Sequence, residues 1–290
     1  MALEFHPLHS GFGTEVRGLD LSGPVSEAEW EAVLRAFHTK GVVVLRGQRL
    51  DEAGHVAVSR RFGPLQIHVL TQFLTTSFPE IYVLSNASRD GHPIGNHKEG
   101  LNWHSDWSYR AEPAVGSLLY GRVCPPEGAD TLFACMHLAY EALSPEMQAR
   151  IEPLHAVHSY ATYYGRAFAD RTKLTPEQQA ATPDVVHPLV RLHPGNGRRA
   201  LYVGREVVKE ILGLPPEESA ALLEELNSHA VRPEFIYRHR WQEGDLVAWD
   251  NRNTMHQATP YDDAKYIRIM HRTTLAGERP VPAVMLPDAA

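Results

Sequence analysis

The sequence contains little cysteine, with two residues, Cys124 and Cys135, among 290. One possible pair cannot form the disulfide framework of a small secreted protein, and no CxxC motif suggests a structural zinc site. The first residues show no basic stretch followed by an apolar run, so we expect no secretory signal. Reduced thiols in a cytoplasmic protein are the expectation.

An excess of basic charge and long apolar runs are absent as well. The 28 Lys and Arg are outnumbered by 35 Asp and Glu, which gives a formal net charge of -7. Nothing therefore favours binding to a polyanionic nucleic acid. No apolar run approaches the roughly 20 residues of a membrane helix. We expect neither nucleic acid nor membrane as a partner.

Repeats, low-complexity tracts and linker-like charge blocks are not found, and 43% of the residues are hydrophobic. We therefore predict a single domain over 1–290. Glycine and proline, 21 of each, separate many short apolar runs. Short strands at irregular spacing favour a β-sandwich or jelly roll with added helices over a doubly wound sheet.

Local signals place the elements. A capping-box spacing from Ser26 to Glu29 opens a predicted helix at 26–40, and Asp51 can cap a second helix at 51–61. The β-rich run GVVVLRG between them predicts a buried strand. Further strands are predicted at Ile81–Leu84, Val115–Tyr120, Thr131–Ala134, Leu189–Leu192, Ala200–Val203, Glu234–Trp241, Asp245–Trp249 and Tyr266–Leu275. Further helices are predicted at Leu138–Leu143, Ser144–Ile151, Arg205–Leu212 and Pro216–Ala230.

The segment NWHSDWSY contains an H-x-D pattern formed by His104 and Asp106. On an extended strand, side chains two residues apart share a face, so the imidazole would lie beside the carboxylate. His256, in the later segment WDNRNTMH, can supply a third ligand. Two histidines and one carboxylate form the facial triad of non-haem iron(II) oxygenases. The H-x-D pattern also occurs by chance, so alone it leaves the metal open.

A second signal is the segment YIRIMHR, in which period-two alternation places Arg268 and Arg272 on one face. Two guanidiniums that point inward require anions, and their planar forks suit carboxylates. The alternative is a solvated strand face with salt bridges, which is common for surface arginines.

Together these segments resemble the taurine dioxygenase and 2,4-dichlorophenoxyacetate dioxygenase (TauD/TfdA) family. The resemblance covers nearly the whole chain, and the blocks occur in this order: HPLHSGFGTEVRGLDLSGP, GVVVLRGQ, RRFGPL, NWHSDWSY, GADTLFACMHLAYEALS, HPLVRLHPGNGRRALYVG, PEFIYRHRW, GDLVAWDNRNTMHQA and YIRIMHRTTLAGERP. It implies a double-stranded β-helix, a cupin-like jelly roll with helical insertions. It also implies Fe(II), 2-oxoglutarate as cosubstrate and O2.

Residue by residue, the resemblance implies that His104, Asp106 and His256 hold the iron. Thr131 and Arg268 match residues that hold 2-oxoglutarate, with Arg268 on its distal carboxylate. Because the carboxylate ligand is present, hydroxylation is favoured over halogenation, which needs that position free for halide.

The resemblance carries over less fully to the substrate pocket. Arg272 matches an arginine close to the substrate's acidic group and to the proximal end of the cosubstrate. His68 matches a substrate-contacting histidine of the taurine branch. Trp107 stands where that branch has a small aliphatic residue, and Ala129 replaces the second glycine of the usual GGDT turn. We therefore expect a small anionic substrate, such as a sulfonate or an aryloxyalkanoate, whose hydroxylation can release a heteroatom group.

Two other functions use the same residues. A zinc hydrolase can activate water with two histidines and an aspartate. A jelly-roll module that binds a metal or ligand without turnover is the second alternative. The oxygenase is preferred because Thr131 and Arg268 stand at cosubstrate positions. Relatives in the family imply a homo-oligomer.

Overall fold

The computed structural model describes residues 3–167 and 173–284, and most of its regular elements are strands. The strands are β1 Glu4–Pro7, β2 Thr14–Arg17, β3 Val42–Leu45, β4 Leu65–Gln66, β5 Tyr82–Ser85, β6 Ser88–Arg89, β7 His92–Pro93, β8 Gly116–Val123, β9 Thr131–Cys135, β10 His155–His158, β11 Val185–Pro188, β12 Val190–Leu192, β13 Arg199–Leu201, β14 Val208–Ile211, β15 Ile236–His239, β16 Leu246–Asp250, β17 Thr254–Ala258, β18 Ile269–Leu275 and β19 Val281–Pro282. The helices are α1 Glu27–Lys40, α2 Glu52–Phe62, α3 Met136–Glu141, α4 Pro145–Ile151, α5 Tyr160–Ala167, α6 Pro176–Ala181 and α7 Pro216–Ala230, with 3-10 turns at Thr71–Phe73 and Pro233–Phe235.

The largest sheet has eight strands in the order β1-β2-β3-β16-β8-β18-β4, and β5 also pairs with β18. All its pairings are antiparallel except that of β2 with β3. The central strands β3 and β16 are buried throughout and β8 is buried over its first six residues, as is typical of strands covered on both sides.

Three smaller three-stranded sheets have the orders β15-β9-β17, β11-β10-β14 and β13-β12-β19. The β15-β9-β17 sheet faces the large sheet, and a continuous apolar layer joins them. This layer contains Phe133 on the small sheet and, on the large sheet, Leu119, Val247, Trp249 and Met270. Close packing of such side chains fixes the separation of the sheets. Their facing surfaces can therefore carry a site.

Helices cover the opposite face of the large sheet. Helix α1 begins after Ser26, whose side chain and that of Glu29 form the predicted capping box, and it ends at Gly41 with φ 74°. Trp30, Val33 and Phe37 of α1 pack on that face. The predicted helices at 26–40, 51–61 and 216–230 are confirmed.

The helix predicted at Arg205–Leu212 is wrong, because strand β14 occupies Val208–Ile211. Val208 and Ile211 are buried, and β14 pairs with β10, so sheet formation overrides the helical composition of the segment. The strand predicted from Tyr266 begins only at Ile269, next to a register shift in its pairing with β8. Among the described residues, no helix combines the length and apolar character needed to cross a bilayer.

Candidate metal centre

The two candidate histidine ligands are neighbours across an isolated backbone bridge. The amide of His104 donates to the carbonyl of His256 at 3.0 Å, and the amide of His256 donates back at 2.8 Å. Directly opposed residues of an antiparallel pair carry their side chains on the same face. The ring centroids are therefore 4.2 Å apart. His256 belongs to strand β17, so the small sheet holds both rings in place.

Asp106 reaches the same place from a turn. The sequence prediction of an extended H-x-D strand is wrong after His104, because residues 106–109 form turns. The hydroxyl of Ser105 donates to the carbonyl of Thr254 at 2.8 Å, which ties this segment to β17. The side chains still converge, because the turn returns the carboxylate toward the imidazoles.

The three candidate ligand atoms form a compact set. Oδ1 of Asp106 lies 3.9 Å from Nε2 of His104 and 3.8 Å from Nε2 of His256. All three atoms lie within 4.8 Å of one another. A carboxylate oxygen and two imidazole nitrogens at this spacing can bind one divalent first-row metal ion.

Each imidazole turns its Nε2 toward the carboxylate of Asp106. Nδ1 of His104 lies 2.7 Å from the carbonyl oxygen of Asn102. A carbonyl only accepts, so Nδ1 carries a proton, which leaves Nε2 as the nitrogen that can bind a metal. Burial, together with the neighbouring His104, lowers the pKa of His256 to about 3, so its ring is neutral near pH 7.

The carboxylate of Asp106 is buried and ionised. Burial alone would raise its pKa, but His256, Arg272 and His104 outweigh burial and hold the pKa well below the usual range. Its second oxygen, Oδ2, accepts from the hydroxyl of Ser117 at 2.8 Å and from the amide of Asn251 at 3.2 Å. Oδ1 therefore remains for a metal.

Arg268 and Thr131 line a small cavity beside the histidines, together with Arg272. The Arg268 guanidinium makes no hydrogen bond or ion pair with any described residue, and burial lowers its pKa. The Thr131 hydroxyl accepts from the indole of Trp241 at 3.0 Å, so its own hydrogen remains available to donate. A partly buried, unpaired cation next to a hydroxyl fits a carboxylate ligand.

Arg268 and Arg272 both line this cavity, so the structure favours the inward face over the solvated alternative. Arg268 lies just before β18, and Arg272 lies within it, opposite Tyr82 of β5 and Leu119 of β8. The Arg272 guanidinium is buried, and its Nε has no hydrogen-bond partner in the described part of the chain. Its Nη1 lies 3.6 Å from Oδ1 of Asp106. A second anion can therefore bind at Arg272.

His68 and Trp107 form an aromatic wall near Arg272. The His68 ring stacks on Tyr82 at 4.0 Å and lies 5.9 Å from the Trp107 ring. Burial and Arg272 lower the pKa of His68 to about 4. Its Nδ1 accepts from the amide of Leu70 at 3.1 Å, so Nε2 carries the proton of the neutral ring and can donate.

Trp107 follows the aspartate in a left-handed conformation, with φ 56°. Its indole is buried, and the Arg110 guanidinium lies 4.3 Å from the ring centroid. A non-glycine residue in this conformation costs roughly 1 kcal/mol or more, so surrounding packing must hold it. The stacked Arg110 guanidinium is part of that packing.

A second cluster of possible metal ligands consists of His38, His193 and Asp250. Here the carboxylate already accepts from Arg252 at 2.8 and 2.6 Å and from Nε2 of His193 at 2.9 Å. A guanidinium thus occupies the place that a cation would take, and we assign no metal to this cluster.

Sequence reasoning missed several residues of the site. Ser117 and Asn251 hold Asp106, and Tyr82 and Glu99 face Arg272. Ser117 had an available signal, because it is a polar residue within the apolar run 115–120 and shares a strand face with Leu119. Glu99 lies in a loop and had no comparable signal.

The geometry defines a candidate mononuclear metal centre flanked by two anion-binding arginines, as expected of a metal-dependent enzyme that handles small acids. The taurine catabolism dioxygenase TauD, TfdA family matches residues 4–274. The chain is 38% identical over 286 residues to the alpha-ketoglutarate-dependent 2,4-dichlorophenoxyacetate dioxygenase of Cupriavidus pinatubonensis, covering 95% of this chain and 98% of that protein. It is 32% identical over 287 residues to the alpha-ketoglutarate-dependent sulfate ester dioxygenase of Pseudomonas putida, covering 97% and 92%.

Solved structures agree. A taurine dioxygenase from Burkholderia xenovorans superposes with a TM-score of 0.81 at 34% identity, covering 98% of this chain and 94% of that one. AAD-2 in complex with Mn(II) and N-oxalylglycine superposes with a TM-score of 0.80 at 34% identity, covering 97% and 99%. The chain therefore belongs to the TauD, TfdA family and is a dioxygenase of that class.

Proposed function

We propose that the chain is an Fe(II)- and 2-oxoglutarate-dependent dioxygenase that hydroxylates a C–H bond of a small anionic substrate. The observation that carries the proposal is the placement of Oδ1 of Asp106 3.8 and 3.9 Å from two imidazole nitrogens, beside an unpaired arginine. Iron(II), when bound, supplies the redox chemistry that couples O2 and the oxidative decarboxylation of 2-oxoglutarate to hydroxylation, with succinate and CO2 as products.

In this proposal His104, Asp106 and His256 hold the metal. Their donor set, two imidazoles and one carboxylate, matches the facial triad and leaves three positions for other ligands. The neutral ring of His256 and the ionised carboxylate of Asp106 are in the protonation states that metal binding requires.

Arg268 and Thr131 anchor the distal carboxylate of 2-oxoglutarate. The absence of any partner for the Arg268 guanidinium among the described residues supports this role, because a charge in this setting is costly until an anion binds. The AAD-2 relative, solved with Mn(II) and N-oxalylglycine, supports a divalent metal beside a small acid. Fixing the far end of the diacid determines which of its oxygens reach the metal.

Arg272 selects the acidic group of the substrate, and neutral His68 donates a second hydrogen bond through Nε2. Arg272 also lies near the proximal end of 2-oxoglutarate. The rings of His68, Tyr82 and Trp107 pack together beside Arg272, and this aromatic cluster supports aryloxyalkanoates in particular. Relatives named for 2,4-dichlorophenoxyacetate, taurine and sulfate esters support a substrate class of aryloxyalkanoates, sulfonates and sulfate esters.

Three further features belong to the proposal. We assign the facing sheets to a double-stranded β-helix, or jelly roll, with helical insertions, since the family relatives superpose over nearly the whole chain. We assign residues 1–290 to one domain, because the family match is continuous from 4 to 274. A cytoplasmic homo-oligomer is the expected form of the enzyme.

A zinc hydrolase with the same triad is the main alternative. It gives no reason for an unpaired guanidinium and a free hydroxyl donor beside the metal ligands. A binding module without turnover explains the arginines. It does not explain a donor set that leaves three coordination positions of a metal open. The hydrolase predicts activity that does not require O2, and the binding module predicts no turnover at all.

The test is substrate-triggered succinate formation. Protein loaded anaerobically with Fe(II) is exposed to air with 2-oxoglutarate and a panel of sulfonates, aryloxyalkanoates, sulfate esters and amino acids. We expect at least one acid to stimulate succinate release. His104→Ala and Asp106→Ala should reduce that release to background, while His92→Ala, at an exposed histidine, should not.

Three results would contradict the proposal. Turnover supported by zinc without O2 would indicate the hydrolase. Tight ligand binding without any turnover would indicate the module. Full activity of either ligand variant would remove the metal assignment.

A further inference from the structure

The carboxylate of Asp106 is held asymmetrically. Its Oδ2 accepts two hydrogen bonds, from Ser117 at 2.8 Å and from Asn251 at 3.2 Å. Its Oδ1 accepts no hydrogen bond from any described residue and instead faces His104 and His256. The two oxygens of one buried carboxylate thus have separate surroundings.

Ser117 is positioned by the large sheet. It lies on β8 opposite Thr274 of β18 and Trp249 of β16. Residues opposite and two apart share a face, so Ser117 points to the same side as Arg272 and Leu119. Its side chain is completely buried, and the hydroxyl has a fixed direction toward Asp106.

Asn251 contacts Asp106 at two points. Its Nδ2 donates to Oδ2, and its Oδ1 accepts from the backbone amide of Asp106 at 3.4 Å. The same Oδ1 accepts from the indole of Trp249 at 3.1 Å, and the Asn251 carbonyl accepts from the buried guanidinium of Arg191. These bonds fix which end of the amide faces Asp106.

The asymmetry matters for coordination. A carboxylate can bind a metal through one oxygen or both. A triad that must leave three positions of an octahedron open can use only one oxygen of its carboxylate. Rotation of Asp106 into a chelating position would break the bonds to Ser117 and Asn251, and their buried donors would lose their acceptor. A buried donor without an acceptor is costly, which opposes that rotation.

We propose that Ser117 and Asn251 are positioning residues that restrict Asp106 to a single metal bond through Oδ1. This inference rests on the metal centre of the proposed function. It assigns roles to two side chains that contact neither cosubstrate nor metal. Partners of this kind typically alter metal affinity about 10- to 100-fold when they are removed.

The test uses metal binding by the full chain rather than turnover. Metal-free protein is titrated anaerobically with Mn(II), and the free ion is followed by electron paramagnetic resonance. The absorption of bound Co(II), which responds to coordination number, is recorded in parallel. Variants are Ser117→Ala, Asn251→Ala and Ser117→Thr, which keeps a hydroxyl.

Ser59→Ala is the matched control. The Ser59 hydroxyl is also buried and bonded, at 2.8 Å to the carbonyl of His55 and at 2.7 Å to Thr273. Neither of these two hydrogen bonds of Ser59 involves Asp106. Its loss should lower the urea concentration at the unfolding midpoint without changing metal binding.

We expect Ser117→Ala to weaken Mn(II) binding about tenfold and to change the Co(II) spectrum, and Ser117→Thr to restore both. Asn251→Ala should act in the same direction if it folds, and Ser117→Ala decides the matter if it does not. Unchanged Mn(II) binding together with an unchanged Co(II) spectrum in Ser117→Ala, with wild-type binding intact, would overturn the positioning role alone. Absence of binding by the wild-type protein would overturn the metal centre and the positioning role together.

Discussion

The carboxylate of Glu99 lies 3.9 Å from the guanidinium of Arg272 without a hydrogen bond between them. Glu99 is held by its other oxygen, which accepts from the hydroxyl of Tyr82 at 2.9 Å and from the amide of Asn96 at 2.8 Å. A negative charge is therefore fixed beside the arginine proposed to receive an anionic substrate. Asp106 also faces Arg272, but a metal bound at the proposed centre would offset its charge.

Glu99→Gln should tighten binding of anionic substrates. The amide is nearly the same size and can still accept from Tyr82, but it removes the like charge that an anion on Arg272 meets. Because Glu99 is partly exposed, solvent screens the effect, and we expect KM for a monoanionic substrate to fall roughly 3- to 10-fold. The measurement is KM from substrate-stimulated succinate release.

Two comparisons make this result specific. A neutral ester of the same acid should show little change, and Glu210→Gln, at an exposed residue of β14, should leave KM unchanged. An unchanged or higher KM for the anion in Glu99→Gln would show that Glu99 does not oppose substrate binding.

Arg268→Ala should raise the 2-oxoglutarate requirement. Hydrogen bonds to charged groups contribute about 1.5–3 kcal/mol, which corresponds to a 2-oxoglutarate concentration for half-maximal rate about 10- to 100-fold higher. Arg268→Lys keeps the charge but loses the planar fork. Its 2-oxoglutarate concentration for half-maximal rate should therefore lie between those of the wild type and Arg268→Ala. Mn(II) binding should be unchanged in both variants. An unaltered 2-oxoglutarate dependence would exclude the anchoring role.

Local signals predicted much of the fold. Helices α1, α2 and α7 were found because caps and prolines act within a few residues of the chain. Strand β14 was mistaken for a helix because its pairing with β10 depends on residues about 50 positions earlier. Single-sequence periodicity contains no information about such a partner.

In the candidate site, too, local signals were predictable and contacts between distant parts of the chain were not. The types of metal ligand could be read from H-x-D and a later histidine, since few side chains bind metals. Asn251 and Asp106 are separated by 145 residues, and their contact arises from the packing of two sheets. The H-x-D segment was wrongly predicted as a strand because nothing local indicated the turn that includes Trp107.

Ala129→Gly should stabilise the protein. Ala129 is buried in the turn before β9 with φ 54°, a left-handed conformation that glycine adopts without steric cost. Relief of the strain should raise the free energy of unfolding by about 1 kcal/mol. Urea unfolding gives the value. Gly128→Ala is the opposite control, since φ is 70° and an added Cβ would lie 2.9 Å from the Pro260 carbonyl oxygen. Equal stability of wild type and Ala129→Gly would show that the turn carries no such strain.

The metal-free protein should lose stability steeply as the pH falls from 6.5 toward 4. Burial has the largest effect on the pKa of six histidines, which it lowers from 6.5 to between about 3 and about 4. Above pH 6.5 these rings are neutral in both states and cost nothing. Between the two pKa values the unfolded chain binds protons that the folded chain does not, so folding weakens. The six histidines are His55, His68, His137, His187, His256 and His271.

Proton uptake on unfolding measures the effect, from the slope of unfolding free energy against pH. Near pH 5 we expect the six rings to contribute about five protons. His271→Gln, on the strand face opposite Arg272, should reduce the uptake by about one proton, whereas His92→Gln, exposed on the surface, should leave it unchanged. Saturating Mn(II) should hold His256 and His104 neutral and resist the acid effect until the metal is released. A slope near zero between pH 6.5 and 4 would mean that the buried rings gain protons in the folded state, and His68 could then act as a charged rather than a neutral donor.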